Sequence, residues 1–146
     1  MNRSKRMEPV VRLADNHQQN AARHLGTWQQ TLEERLQRLQ ELTDYRDEYA
    51  RHFEDQAGRC MTAVSVRDYR VFLDRLNAAI EQQGHLVQAA QEEVDRSRGT
   101  WVRARGRTEV LTRLVDRFER EERHEMDRRE QAEQDDRPRP RDSTDT

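Results

Sequence analysis

Residues 69–118 read YRVFLDRLNAAIEQQGHLVQAAQEEVDRSRGTWVRARGRTEVLTRLVDRF. Taken in alternating steps of four and three, this stretch gives a row of mainly apolar side chains with a period of about 3.5 residues. Because an α-helix has about 3.6 residues per turn, such a row stays on one face only if the helix supercoils around a partner. The stretch therefore predicts one long coiled-coil helix. We call its row the second seam: Tyr69, Leu73, Leu76, Ile80, Gln83, Val87, Ala90, Val94, Ser97, Trp101, Ala104, Thr108, Leu111, Val115 and Phe118.

A helical pattern also precedes this stretch. Its apolar residues step mostly by three or four, close to the helix period of about 3.6 but with a less regular register than the second seam. Gly58 follows the pattern, and glycine is the usual residue just past a helix end. We call this pattern the first row: Ala14, Ala21, Leu25, Trp28, Leu32, Leu36, Leu39, Leu42, Tyr45, Tyr49 and Phe53.

The segment boundaries follow from turn and cap residues. Pro9 suits the first turn of a helix, where its missing N–H leaves no bond unmade. Ser65 is a favourable N-cap, with Asp68 three residues later as an acidic variant of the capping box. We therefore predict a flexible N-terminus over 1–8, a first helix over 9–57, a turn over 58–65 and a second helix over 66–130. The polar composition of 131–146 predicts a disordered tail.

The composition suits two paired helices better than a globular core. Only 32% of the residues are hydrophobic and 38% are charged, which is enough to line one seam and leave the other faces in water. The short turn makes the two helices antiparallel neighbours. We predict an all-α fold, a long antiparallel two-helix coiled-coil hairpin, with a homodimeric coiled coil as the alternative. Its seam is expected to contain Leu25, Trp28, Leu32, Leu39, Phe53, Tyr69, Leu73, Ile80, Val87, Val94, Trp101, Leu111, Val115 and Phe118.

The sequence contains no pattern typical of an active site. Phosphate loops and nucleophile elbows are missing, and the segment from His124 to Arg128 lacks the second histidine of the metalloprotease pattern. A net charge of −2, with acids and bases well mixed, gives no overall attraction to nucleic acid or to a membrane. No apolar run is long enough to span a bilayer. We expect a cytoplasmic protein, monomeric alone, with no catalytic residues, cofactor or metal.

Two surfaces are candidates for binding. The first is a basic cluster of Arg96, Arg98, Arg103, Arg105 and Arg107, which is either a solvated face or a site for an acidic partner or a phosphate backbone. The second lies near the turn, where apolar residues exceed what one seam needs. Phe72, Leu76, Ala79 and Gln83 make a second row there, and Leu42, Tyr45 and Tyr49 are in similar excess. This excess indicates either a wide core or an exposed aromatic patch that binds another protein.

Several segments resemble the flagellar export protein FliJ family. They are residues 10–14 (VVRLA), 21–25 (AARHL), 42–49 (LTDYRDEY) and 69–73 (YRVFL), with Leu76, Ala79, Ile80 and Trp101 behind them. The resemblance covers roughly residues 8 to 120. It implies an antiparallel two-helix coiled coil similar to the stalk of the rotary ATPase γ subunit, acting without enzymatic activity in flagellar type III export.

The resemblance also implies the partners. They are the ring of the export ATPase FliI, expected at the helix termini, the cytoplasmic domain of the export-gate protein FlhA, and export chaperones. No nucleic acid or membrane insertion is implied, and the protein would associate peripherally with the inner membrane through the export apparatus. The family's gate-binding surface maps onto Leu42, Tyr45, Tyr49, Phe72, Leu76, Ala79 and Gln83. Position 83 can be histidine in the family, and position 38, which is Arg here, can be glutamine.

Two other functions fit the residues themselves. A generic coiled-coil adaptor or secretion chaperone would place its partner surface anywhere along the helices. A nucleic-acid binder would use the basic cluster, although such proteins are usually basic overall.

Overall fold

The computed structural model describes residues 2–59 and 61–138. The chain forms two long α-helices, α1 over Arg3–Ala57 and α2 over Ala63–Asp135, and no strand occurs among the described residues. The two helices pack against each other, and α1 therefore finds its partner helix within the same chain. The prediction of an all-α fold of two long paired helices is confirmed.

Both helices begin earlier than the sequence predicted. α1 starts at Arg3 rather than at residue 9, so residues 3–8 are helical and Pro9 lies inside the helix. α2 starts at Ala63, and its N-cap is Thr62 rather than Ser65. The Thr62 hydroxyl lies 3.2 Å from the Ser65 N–H, the bond that an N-cap makes to the third helical residue, and 2.9 Å from the Ser65 hydroxyl. The sequence contains two good cap residues three positions apart, and α2 begins after the first of them.

The other ends lie close to the predicted ones. α1 ends at Ala57, and the Arg59 N–H donates to the Gln56 carbonyl at 2.9 Å, which tightens the chain after the last turn. α2 continues to Asp135, five residues into the segment expected to be a disordered tail. Residues 139–146 of that tail lie outside the described residues, as does Cys60 in the turn.

The chain divides into two compact units. The turn unit, Gln19–Arg103, contains the connection between the helices. The terminal unit consists of Met1–Gln18 and Ala104–Thr146. Each unit contains a segment of both helices, and each is described by itself below.

Cross-helix contacts in the turn unit define an antiparallel pairing. Arg46 donates to Asn77 at 3.4 Å, the rings of Tyr49 and Phe72 lie 4.5 Å apart, and those of Phe53 and Tyr69 stack at 3.6 Å. Because the α2 number falls as the α1 number rises, the two helices run in opposite directions.

The terminal unit has the same direction of pairing. The Thr108 hydroxyl lies 3.3 Å from the Ala14 carbonyl, and Ser4 donates two hydrogen bonds to Glu122. Ala14 is only 6% exposed. A small residue at this position lets the facing helix cover its side chain almost completely.

Every residue of the second seam is buried or half-buried. Burial is deepest at Ala90 and Val94 in the turn unit, which are 0% and 2% exposed. On α1 the covered positions of the turn unit also follow steps of three and four: Leu25, Trp28, Leu32, Arg35, Leu39, Leu42, Arg46, Tyr49 and Phe53. Leu36, expected in the first row, is instead 47% exposed, because Arg35 holds the seam position beside it.

Candidate protein-binding surface

Five aromatic side chains of the turn unit form one connected cluster between the helices. Its central contacts join α1 to α2. The Tyr49 ring lies 4.5 Å from Phe72 and stacks on Tyr69 at 5.5 Å. Tyr45 meets Phe72 edge-on at 6.1 Å, a favoured geometry for aromatic pairs. We call this set the aromatic cluster: Tyr45, Tyr49, Phe53, Tyr69 and Phe72.

The rings of the aromatic cluster differ in their exposure to solvent. Phe53 and Tyr69 stack against each other in the seam and are half-buried. Tyr49 and Phe72 are half-buried as well, whereas Tyr45 is 50% exposed. The side with Tyr45 therefore offers an aromatic surface to solvent, fixed in place by the rings beneath it.

The remaining residues of the predicted gate-binding surface lie in the same region with unequal exposure. Leu42 and Ala79 are half-buried. Leu76 is only 8% exposed, so its side chain belongs to the core and offers little area to a partner. Leu42 precedes Tyr45 by about one helical turn and Ala79 follows Phe72 by about two turns, and Leu76 lies beneath the surface.

Gln83 takes part in a polar bridge between the helices. Its side-chain amide donates to the Arg35 carbonyl at 3.1 Å, and the Arg35 guanidinium donates to the Leu86 carbonyl at 2.9 Å. A polar pair inside a coiled-coil seam favours the one register in which its bonds form. Gln83 therefore helps to align the two helices in the turn unit.

The sequence patterns missed the two arginines of the α1 seam. Arg35 and Arg46 are half-buried at positions where the steps of three and four require a seam residue. Arginine can lay its aliphatic stem over apolar neighbours while its head group reaches polar atoms. The steps of three and four from Leu25 to Phe53 are regular only if positions 35 and 46 belong to the seam. This regularity could have indicated both arginines, although arginine is an unusual seam residue.

The basic cluster consists of exposed side chains. In the turn unit, Arg96 pairs with Glu93 at 2.6 Å, with the arginine side chain 68% exposed. In the terminal unit, Arg105 pairs with Glu109 at 3.3 Å. Exposed pairs of this kind contribute about 0–1 kcal/mol to stability. Arg98, Arg103 and Arg107 are exposed too, which fits a solvated helix face.

Neither a metal site nor a membrane span is found in the part of the chain that the structure describes. No group of three or more histidine, cysteine, aspartate or glutamate side chains is arranged to hold a metal ion. All five histidines are exposed. Neither helix contains a stretch apolar and long enough to cross a lipid bilayer.

The terminal unit contains an interhelical clasp that the sequence did not predict. The Ser4 N–H donates to Glu122 Oε1 at 3.1 Å, and the Ser4 hydroxyl donates to Oε2 at 2.7 Å. These bonds from the Ser4 backbone and hydroxyl, together with one from the Arg3 backbone, hold the pKa of Glu122 below its ordinary value of 4.5. Arg3 also lies over the Phe118 ring at 5.7 Å. The clasp ties the first turn of α1 to α2.

Paired antiparallel helices with a narrow seam define a two-helix coiled-coil protein. The family model described as Flagellar FliJ protein matches residues 3–138. A curated relative from Salmonella typhi, also described as Flagellar FliJ protein, is 28% identical over 113 residues, which is 76% of each chain. No solved structure matches the chain significantly. The chain belongs to the FliJ family of flagellar proteins and is a component of flagellar protein export.

Proposed function

We propose that this protein is a non-enzymatic stalk of the flagellar type III export apparatus. It links the ring of the export ATPase FliI to the cytoplasmic domain of the export-gate protein FlhA, and it assists the traffic of export chaperones and their substrates. In this proposal the protein is a monomer alone and joins the inner membrane only through the apparatus. Membership of the FliJ family supports a role in flagellar export. The division of the chain into two compact units supports separate binding sites for the gate and for the ATPase.

The observation that carries the gate-binding part is the exposed Tyr45 ring fixed against Phe72. An aromatic side chain that is already held by its neighbours loses little conformational freedom on binding, and such anchors dominate the energetics of many interfaces. Tyr45 is 50% exposed and meets Phe72 at 6.1 Å. The export gate therefore docks on this side of the aromatic cluster.

The ATPase-binding part is assigned to the terminal unit. The first residues of α1 and the last residues of α2 belong to this unit. By analogy with the stalk of the rotary ATPase γ subunit, which the sequence resemblance implies, these helix termini enter the ATPase ring. The clasp between Ser4 and Glu122 supports this assignment, because it keeps the start of α1 on α2. The chain stimulates ring assembly and ATP turnover by FliI while hydrolysing nothing itself.

A calorimetric titration with the cognate gate domain tests the docking surface. Tyr45→Ala is expected to weaken binding by about tenfold or more, as expected for an aromatic anchor. Leu13→Ala is the matched control, since Leu13 is a 57% exposed apolar residue in the terminal unit. Equal binding of the wild type and the Tyr45→Ala variant would exclude the proposed surface.

A second experiment tests the ATPase part. Ring formation and ATP turnover by FliI are measured across a saturating titration with this chain. The proposal predicts that both increase, and that the chain alone turns over no ATP. If both stay at the values of FliI alone, the stalk assignment is wrong.

A further inference from the structure

The apolar surface around Tyr45 continues along α2. Phe72, Ala79 and Leu86 are spaced by seven residues, so they lie on one face of the helix within the turn unit. Leu86 is 41% exposed, although its backbone carbonyl accepts the Arg35 bond. At 1.5 Å per residue, the row from Phe72 to Leu86 is about 21 Å long, which equals about four helical turns. We call this row, with Tyr45, the docking face.

One edge of the docking face is acidic. Glu41 and Glu48 precede and follow Tyr45 by four and three residues, which places both about 40–60° around α1 on the same side of the Tyr45 side chain. Leu42 and Tyr49 lie about equally far to the other side, toward α2. The two carboxylates therefore border Tyr45 along its outer side, away from the seam.

Other side chains extend this acidic edge. Asp44, Glu48 and Asp55 line a shallow depression together with Arg51 and His52. Arg38 pairs with Glu41 at 3.4 Å, but both side chains are more than half exposed, so that pair is weak. Four acids against Arg38 and Arg51 leave the edge net negative. No ion pair in the described part of the chain involves Glu48 or Asp44.

The heptad spacing of the docking face and the negative charge of its edge together indicate what kind of partner it binds. Apolar residues repeating every seven along one face of α2, beside α1, fit a third helix whose own apolar residues repeat every seven. Carboxylates along one border favour a helix with lysines or arginines on that flank, because complementary charges steer association and disfavour the opposite orientation.

We propose that the docking face binds an amphipathic α-helix of about four turns that carries lysine or arginine along one flank. The basic flank lies over Glu41 and Glu48, and the apolar face covers Tyr45, Phe72 and Leu86. That the helix belongs to the export gate rests on the proposed function. The chemistry of the helix rests on the docking face.

Two lactam-stapled synthetic peptides of four turns test this inference. Both carry leucines at heptad spacing, and one carries lysines and the other glutamates along the same flank. Each is titrated into the full-length protein by fluorescence anisotropy at about 50 mM and about 300 mM salt, which spans strong and weak screening of surface charges.

The lysine peptide is expected to bind at least about tenfold more tightly than the glutamate peptide at low salt, with a smaller ratio at high salt. The Glu41→Gln, Glu48→Gln double variant should bind the lysine peptide about fivefold more weakly, and Leu86→Ala should weaken both peptides. The control Glu33→Gln, Glu54→Gln makes the same charge change more than 100° around α1 from Tyr45 and should stay within about twofold of the wild type.

The inference is overturned if neither peptide binds, if the two peptides bind equally at low salt, or if the control weakens binding as much as the double variant. The gate titration separates this inference from the proposed function. If the gate domain fails to bind while the lysine peptide behaves as expected, the assignment of the partner is wrong and the docking face stands. If the gate domain binds through Tyr45 but the peptides show no charge preference, the inference alone fails.

Discussion

Glu122 of α2 receives both hydrogen bonds that Ser4 of α1 can donate to a carboxylate, from the backbone N–H at 3.1 Å and from the hydroxyl at 2.7 Å. The first N–H groups of a helix have no partner within the helix, and the negative charge of a carboxylate is favourable at that end. Glu122 therefore caps α1 from the opposite helix, and it does so within the terminal unit.

Replacing Ser4 by Ala is expected to loosen the first turn of α1. The variant keeps the backbone bond and loses the hydroxyl bond, whereas Glu122→Gln loses the charge that strengthens both. Amide exchange of residues 4–8 should become faster in both variants, more so in Glu122→Gln, while exchange in the turn unit stays unchanged. Unaltered exchange at residues 4–8 would mean that the clasp does not hold the N-terminal turn.

The clasp should also weaken with acid. The pKa of Glu122 is lowered in the folded protein because the ionised carboxylate accepts the bonds from Ser4. A lowered pKa means that the stabilisation is fully present above the ordinary value of 4.5 and is lost as the pH falls below it through the folded value. The protection of the Ser4 amide, measured relative to its intrinsic exchange rate at each pH, should therefore fall below about pH 4.5 in the wild type. In the Glu122→Gln variant, the protection of the Ser4 amide should show no such fall. A fall of equal size in that variant would assign the effect to another titrating group.

Gly26 offers a stabilising substitution. It lies inside α1, it is exposed, and an added Cβ would meet no atom within 4 Å. Alanine restricts the unfolded chain more than glycine does and favours the helix, so Gly26→Ala should raise the free energy of unfolding by about 0.5–1 kcal/mol. Urea unfolding of both proteins measures the difference. A loss of stability would show that α1 needs the glycine at this point.

Leu76 and Leu36 allow a matched comparison of a seam position and a surface position. Leu76 is 8% exposed and Leu36 is 47% exposed. Leu76→Ala should lower the free energy of unfolding by about 2–5 kcal/mol, because it removes buried methyl groups and leaves a gap between the helices. Leu36→Ala should lower it by less than about 1 kcal/mol. If urea unfolding shows that the two variants lose the same free energy of unfolding, the assignment of Leu76 to the core is contradicted.

The fold class could be predicted because the apolar row of α2 keeps its spacing over many turns without a proline or a long turn to interrupt it. The seam of α1 was harder to predict. Arg35 and Arg46 occupy two of its positions, and arginine is rarely buried, so residue type favoured Leu36 and Tyr45. The charged heads reach a carbonyl and an amide of α2, which only the paired structure brings within range.

Two local features depended on information that short sequence patterns lack. Thr62 and Ser65 are both good caps, and in the structure Thr62 is the cap while its hydroxyl also meets the Ser65 hydroxyl at 2.9 Å. Ser4 and Glu122 are 118 positions apart, so no local signal links them. The clustering of Tyr45, Tyr49 and Phe72 could be foreseen from the apolar excess near the turn. Leu76 was expected both in the second seam and in the gate-binding surface, and its exposure of 8% assigns it to the seam.

We propose above that the export gate docks on the exposed side of the aromatic cluster. Photo-crosslinking in flagellated cells tests it most directly, with p-benzoylphenylalanine in place of Tyr45 in one strain and in place of Leu13 in another. Both positions are at least half exposed, so the probe reaches solvent from either. We expect a crosslink to the export-gate protein from position 45 and none from position 13. Capture of the gate protein from position 13 alone, or from neither position while the protein still supports motility, would contradict it.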